Sequence, residues 1–307
     1  MGTRFLVWRT LHALIVVFGV LTVVFALVRL TPGDPVLLMV PPDASPAAVE
    51  QLRHELGFDR PIPVQFGIYL SQALTGDLGS SLRQHRPVTQ LIGERVPATV
   101  ELTAVSMVLA VAVAAPLGIL AAVARGSPAD LLTRAIALVG QAMPTFWLGI
   151  LLIIVFAVQL RVLPTSGRGS PAQLILPSVT LGVYMMGLLA RVTRASMLEV
   201  LGADYIRTAR AKGLRRAAVL VRHALRNALV PIVTILGLQV GTLLGGAVIT
   251  EAVFAWPGIG TLAITAIYQR DYPVVQGVVV LSALVFVLVN FLVDALYTYL
   301  DPQIRYG

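Results

Sequence analysis

Residues 191–226 read RVTRASMLEVLGADYIRTARAKGLRRAAVLVRHALR, and the fold turns on what this connection is. Apolar runs at 174–195 and 228–247 bracket it. It holds nine of the chain's 23 Lys and Arg residues, against the acids Glu199 and Asp204. About 36 residues is far more than two antiparallel helices need for a hairpin. A long, basic, helix-forming loop between two apolar runs is, first of all, an anchor that fixes which side of a membrane it lies on.

Composition extends that reading to the whole chain. Of 307 residues, 57% are hydrophobic and 12% charged, and the mean hydropathy is +0.85. Soluble domains carry about 25% charged residues, so this chain lacks the polar surface to coat a body of its size in water. A net charge of +8 on a soluble protein would suggest nucleic acid. Here all but one of the 23 basic residues are Arg, placed as membrane orientation requires, and no nucleic-acid partner is expected. With no cysteine, disulfides, thiolate zinc, thiol catalysis and iron–sulfur clusters are excluded. The four His, at 12, 54, 85 and 223, are too scattered for a metal cage, and no metal site is predicted.

The first apolar run, 11–28, is flanked by Arg4, Arg9 and Arg29 and lacks a small-x-small cleavage site. It is predicted to be an uncleaved transmembrane helix. Residues 31–97 are proline-rich, with seven acidic and five basic residues, and read as an extracytoplasmic insertion. Within it, Ser45-Pro46 begins a helix with Val49, Leu52 and Leu56 on one face and Gly57 at its end, and a second short helix covers 64–74. Further spans are predicted at 99–124, 131–159, 174–195, 228–247 and 274–299. Pro97 is expected at a helix start, and Pro116 and Pro144 are expected to kink their spans. The arginine asymmetry puts both termini in the cytoplasm and residues 31–97 outside. The organisation is then 1–30, N-terminus and first helix; 31–97, insertion; 98–300, a five-helix domain with its loop at 196–226; and 301–307, tail. The fold class is an all-α membrane protein of six transmembrane helices.

Gly237, Gly241 and Gly245 lie four apart in the fifth span, one helical stripe where another backbone can approach or a pore can line. Between the last two spans, Trp256-Pro257-Gly258 signals a turn, and 259–268 is apolar enough to dip into the interface. Trp256, Tyr268 and Tyr272 would suit an interfacial aromatic belt.

Several strings carry a resemblance. Tyr205-Ile206-Arg207-Thr208-Ala209-Arg210-Ala211-Lys212-Gly213 resembles the E-A-A-x-x-x-G loop of ABC importer permeases, with Arg207 at the Glu position and Thr208 at the first Ala. Leu225 fits the downstream Leu-Pro, whereas Arg226 stands where Pro is usual and Pro231 comes five later. The departures are those of one branch. DYIRTARAKG with RHALRNALVPIV is similar to dipeptide, oligopeptide and nickel permeases of the B type. So are residues 31–35 (TPGDP), 76–81 (GDLGSS), 142–147 (AMPTFW), 254–260 (FAWPGIG), 270–276 (RDYPVVQ) and 301–305 (DPQIR), in order along essentially the whole chain.

The resemblance implies a type I ABC importer permease, half of a path for di- or oligopeptides, or alternatively nickel chelates or another small solute. It implies a second homologous permease, two cytoplasmic ABC ATPases and an extracytoplasmic substrate-binding protein as partners, in the cell's inner or plasma membrane. A short helix from the loop would dock in an ATPase groove, carried by Asp204, Tyr205, Ile206, Arg207, Thr208, Ala209, Arg210, Lys212 and Gly213. Tyr205 and Ile206 offer an apolar anchor, Ala209 close approach, and Gly213 a left-handed helix end. Phe254, Trp256, Pro257, Gly258, Gly260, Asp271 and Tyr272 would form an outer gate segment. No P-loop and no hydrolase signature occurs, so the chain is predicted to be no enzyme and to bind no cofactor, with ATP and magnesium held by partner subunits. A stand-alone secondary transporter would want an ionisable residue at mid-span, and an intramembrane enzyme convergent Ser, His or Asp groups; the sequence offers neither.

Overall fold

The computed structural model describes residues 3–30, 36–38, 40, 45–55 and 57–300. The strings at 31–35 and 301–305, and Leu56, lie outside the described residues. In chain order the helices are α1 (Thr3–Leu30), α2 (Pro46–Glu55), α3 (Ile62–Leu74), α4 (Val88–Val123), α5 (Pro128–Ala142) and α6 (Thr145–Leu152). There follow α7 (Pro171–Leu201), α8 (Asp204–Ala211), α9 (Arg216–Ala218), α10 (Arg226–Val253), α11 (Ile259–Tyr268) and α12 (Tyr272–Leu300). Two π-helical turns, Ile153–Gln159 and Val219–Leu225, extend α6 and α9.

Five of these helices are long and apolar enough to cross a membrane, and six spans result if α5 and the α6 segment count as one. That pair is bent by 104° at a break centred on Pro144, the proline expected only to kink it. Pro144 sits in extended backbone at ψ 131°, out of the helical range, so the bend is a true interruption. Pro97 behaves differently from expectation. Helix α4 starts at Val88 and continues past it and Pro116, so Pro97 lies in its interior.

The chain divides into two compact units, Met1–Pro97 with Thr261–Leu288, and Ala98–Gly260 with Val289–Gly307. In the first, α1 packs on α3 through aromatic pairs, Phe25 with Phe66 at 5.1 Å and with Tyr69 at 5.7 Å. The Arg29 guanidinium covers the Phe25 ring at 4.0 Å and donates to Gln65 at 2.7 Å. The start of α2 follows its sequence signal, since the Ser45 hydroxyl accepts from Ala48 N–H at 3.2 Å.

The second unit is built on α7, which packs with α5, α6 and α10. Its core forms three layers along α4, α7 and α10. The first holds Leu102, Leu181, Met185, Leu243, Ala247 and Trp256; the next Ala114, Leu189, Ala190 and Ile232; the last Ala122, Met197, Ile206, Ala209, Val219, Ala224 and Ala228. Residue numbers rise through the layers on α4 and α7 and fall on α10, so α10 runs antiparallel to the other two. Many small residues let the backbones approach, as expected where lipid gives no hydrophobic drive for helix association. A Cβ on Gly187 would come within 2.5 Å of the Ala137 carbonyl oxygen.

Candidate functional site

The basic loop folds as sequence chemistry dictates. Helix α7 ends at Leu201, Ala203 turns extended at ψ 150°, and α8 follows with Asp204 in its first turn and Arg210 in its last, each favourable to the helix dipole. Gly213 ends the segment at φ +76°, where a side chain would be strained, and its N–H reaches the Arg210 carbonyl at 3.0 Å.

Helix α8 has two faces. Ile206 is fully buried and Ala209 nearly so, in the layer formed by Ala122, Met197, Val219, Ala224 and Ala228. These two residues, read as part of a surface for another protein, are committed to this chain's own core. Exposed instead are Asp204, Tyr205, Arg207, Thr208, Arg210, Ala211 and Lys212. Arg207 pairs with Asp204 at 3.4 Å, and Tyr205 accepts from Asn227 at 3.0 Å, which ties α8 to α10.

The seat of α8 is itself clamped. The Asp130 carboxylate, 1% exposed, takes a two-pronged contact from Arg194 at 2.7 and 2.9 Å, a third from Gly126 N–H at 3.0 Å, and lies 3.4 Å from Arg134. This ties the start of α5 to α7 one turn before Met197. The Ser127-Pro128-Ala129-Asp130 capping signal could have disclosed the helix start that places Asp130, though not its Arg194 partner, since Ser127 accepts from Asp130 N–H. The predicted span began one residue later.

At the opposite end of the layers, a second buried carboxylate organises the turn after α10. Glu251 accepts from the Thr99 hydroxyl at 2.5 Å and from Gly260 N–H at 2.7 Å, while Ile259 N–H donates to the same Thr99 oxygen at 2.8 Å. A Cβ on Gly258 would sit 2.0 Å from the Glu251 carboxylate, so a side chain there must displace it. Trp256 is 1% exposed and donates its indole N–H to the Ala98 carbonyl at 2.8 Å, and Phe254 is equally buried. Trp256 is therefore a core residue, with no place in an aromatic belt. The sequence signals at Phe254, Trp256, Gly258 and Gly260 do not extend to Glu251 or Thr99, which fix the backbone at 259–260.

Asp271, expected in a gate segment, belongs to the first unit. There it accepts from the Ser81 hydroxyl at 2.5 Å and from Leu82 N–H at 3.1 Å, fixing the 76–87 loop beside the start of α12. Tyr272 follows at half exposure. On the glycine stripe, Gly237 makes a close approach to α12, where a Cβ would lie 2.5 Å from Val293.

The fold and these features define a multi-pass membrane permease of the type I ABC importer architecture. The same fold occurs in inward-facing conformations of the MetNI methionine ABC transporter, 24% identical with a TM-score of 0.59, covering 69% of this chain and 97% of that one. The chain belongs to the family described as the binding-protein-dependent transport system inner membrane component, which matches residues 114–306, with that family's N-terminal region matching 2–103. Its relatives include the glutathione transport system permease GsiC of Pectobacterium atrosepticum, 45% identical over 287 residues and 94% of both chains. Another is the dipeptide transport system permease DppB of Alkalihalophilus pseudofirmus, 42% identical over 326 residues, covering 97% of this chain and 98% of the relative. The protein is thus a permease subunit of an ABC importer.

Proposed function

We propose that this permease carries short peptides, and that α8 receives the ATPase movement through its exposed face and passes it inward through its buried one. The observation that carries the reading is the division of α8, with Ile206 and Ala209 locked against the ends of α4, α7 and α10 and with Tyr205, Arg207, Thr208, Ala211 and Lys212 outside. A helix so seated moves as one body with the helices beneath it, since a packed core does not deform smoothly. The peptide substrate is supported by the glutathione and dipeptide permeases among the relatives.

Two cytoplasmic ATPases, a second permease half and an external binding protein complete the assembly in this proposal, with ATP and magnesium on the ATPases and no cofactor on this chain. The arginine-rich α8 loop then lies in the cytoplasm, with both termini, and the 76–87 loop outside. Accessibility tags at Gly79 and Leu214 test this, and should report outside and inside respectively; the reverse at either site contradicts it. For coupling, Ala209→Glu discriminates poorly, because it would place a charge in the chain's own core. Thr208→Trp tests the exposed face without touching the core. It should abolish co-purification with the ATPases and ATPase stimulation by loaded binding protein, while insertion in the membrane is retained. Intact co-purification would remove α8 from the contact.

A further inference from the structure

Beside α8 lies a cavity of about 320 Å³ lined by the ends of α4 and α7, by α8 and by the π-helical turn after α9. Three arginines line it, Arg125, Arg210 and Arg216, each exposed and without an ion pair among the described residues. No described carboxylate lines it. The rest of the lining is largely apolar, with Ala122, Val123, Leu198, Leu201, Val219 and Leu220. Cationic forks over an apolar floor, at the level where apolar spans end, match neither an acidic protein groove nor a free solute alone.

We propose that this cavity holds the phosphate headgroup of an anionic phospholipid. The planar fork of Arg suits phosphate oxygens two at a time, and basic pockets between transmembrane helices on the cytoplasmic side recognise such headgroups. The apolar floor accommodates the glycerol and upper acyl carbons, which a soluble phosphate compound lacks. The site rests on the reading that the α8 end faces the cytoplasm, where anionic lipid is enriched. Val219 belongs both to this lining and to the layer under α8, so the bound lipid braces the element that transmits ATPase movement.

The test uses the permease assembled with its ATPases, released from membranes containing phosphatidylglycerol and weighed by native mass spectrometry. The intact assembly should retain phosphatidylglycerol. Arg125→Gln with Arg216→Gln should weaken retention roughly tenfold, as loss of two charge-assisted contacts implies. Arg215→Gln with Arg222→Gln, the same change in net charge outside the cavity, should leave it unaltered. Excess glycerol phosphate should not displace the lipid. Equal retention in the two double variants would overturn the site, and displacement by glycerol phosphate would assign it to a soluble anion instead. Should the glutamine pair fail to assemble, Arg125→Lys with Arg216→Lys keeps the charge but loses the fork, and unaltered retention there would overturn the guanidinium assignment. The tag at Leu214 reports orientation independently, so a wrong topology is distinguishable from an empty cavity.

Discussion

Two carboxylates are buried in the same helical unit, and they are satisfied in opposite ways. Asp130 is met by charge, with the Arg194 fork and Arg134 beside it, and one backbone N–H. Glu251 accepts from dipoles, among them the Thr99 hydroxyl and the Gly260 N–H, in a space so tight that a Cβ on Gly258 must displace its carboxylate. The first joins two long helices near the seat of α8. The second stitches one turn between α10 and α11. Opposite charges attract over distance and tolerate some slack, which suits a clamp between helices that move together. Short hydrogen bonds in a closed cradle tolerate little slack, which suits a turn held in one shape.

That contrast sets an order of expected effects. Gly258→Ala should be the most damaging, since its Cβ would fall on the Glu251 carboxylate and the whole cradle must open. Little folded permease should reach the membrane, measured by fluorescence size-exclusion of detergent extracts. Survival of Gly258→Ala at normal levels would show that the cradle has slack after all. Glu251→Ala comes next. It strands the Thr99 hydroxyl and the Gly260 N–H, at about 1–3 kcal/mol for each donor left buried without an acceptor. A clear drop in thermal stability is expected, with Glu251→Gln in between, because an amide oxygen can still accept from Thr99 or from Gly260.

Asp130→Asn should cost less than Glu251→Ala. The amide keeps an acceptor for Gly126 and Arg194, and the arginines lie close enough to water to be solvated. The effect should grow when Arg194→Ala is added, but by less than the sum of the two single changes, since the residues form one contact. A purely additive double mutant would break the comparison by making Asp130 and Arg194 independent. Lys212→Glu should be smallest. An exposed rim charge is worth roughly 0–1 kcal/mol, so ATPase co-purification should fall only slightly, and less at high salt.

Much of this architecture was legible from residue order. The spans, the α2 and α3 helices and the left-handed Gly213 follow from apolar run length, caps and turn residues, whereas 259–268 reads only as apolar and proves to be a helix. What escaped was three-dimensional pairing. Asp130 and Arg194 are 64 residues apart and Thr99 and Glu251 are 152 apart, and no local pattern connects either pair. The two faces of α8 were hidden for another reason. An eight-residue helix with Ile206 and Ala209 three apart is legible as amphipathic, but which partner covers the apolar side is not in the periodicity. Pro144 was read correctly as a disturbance, but the size of a bend is decided by packing around it.

In the proposed coupling, α8 faces inward through Ala209 and outward, toward an ATPase, through Thr208. The chain has no cysteine, so single cysteines can be placed without background from this subunit. Thr208→Cys and Ala209→Cys would be labelled with a membrane-permeant maleimide, in the permease alone and in the assembly with its ATPases. Thr208→Cys should react readily alone and be shielded in the assembly, and Ala209→Cys should stay poorly reactive in both. Equal labelling of Thr208→Cys with and without the ATPases would contradict the coupling.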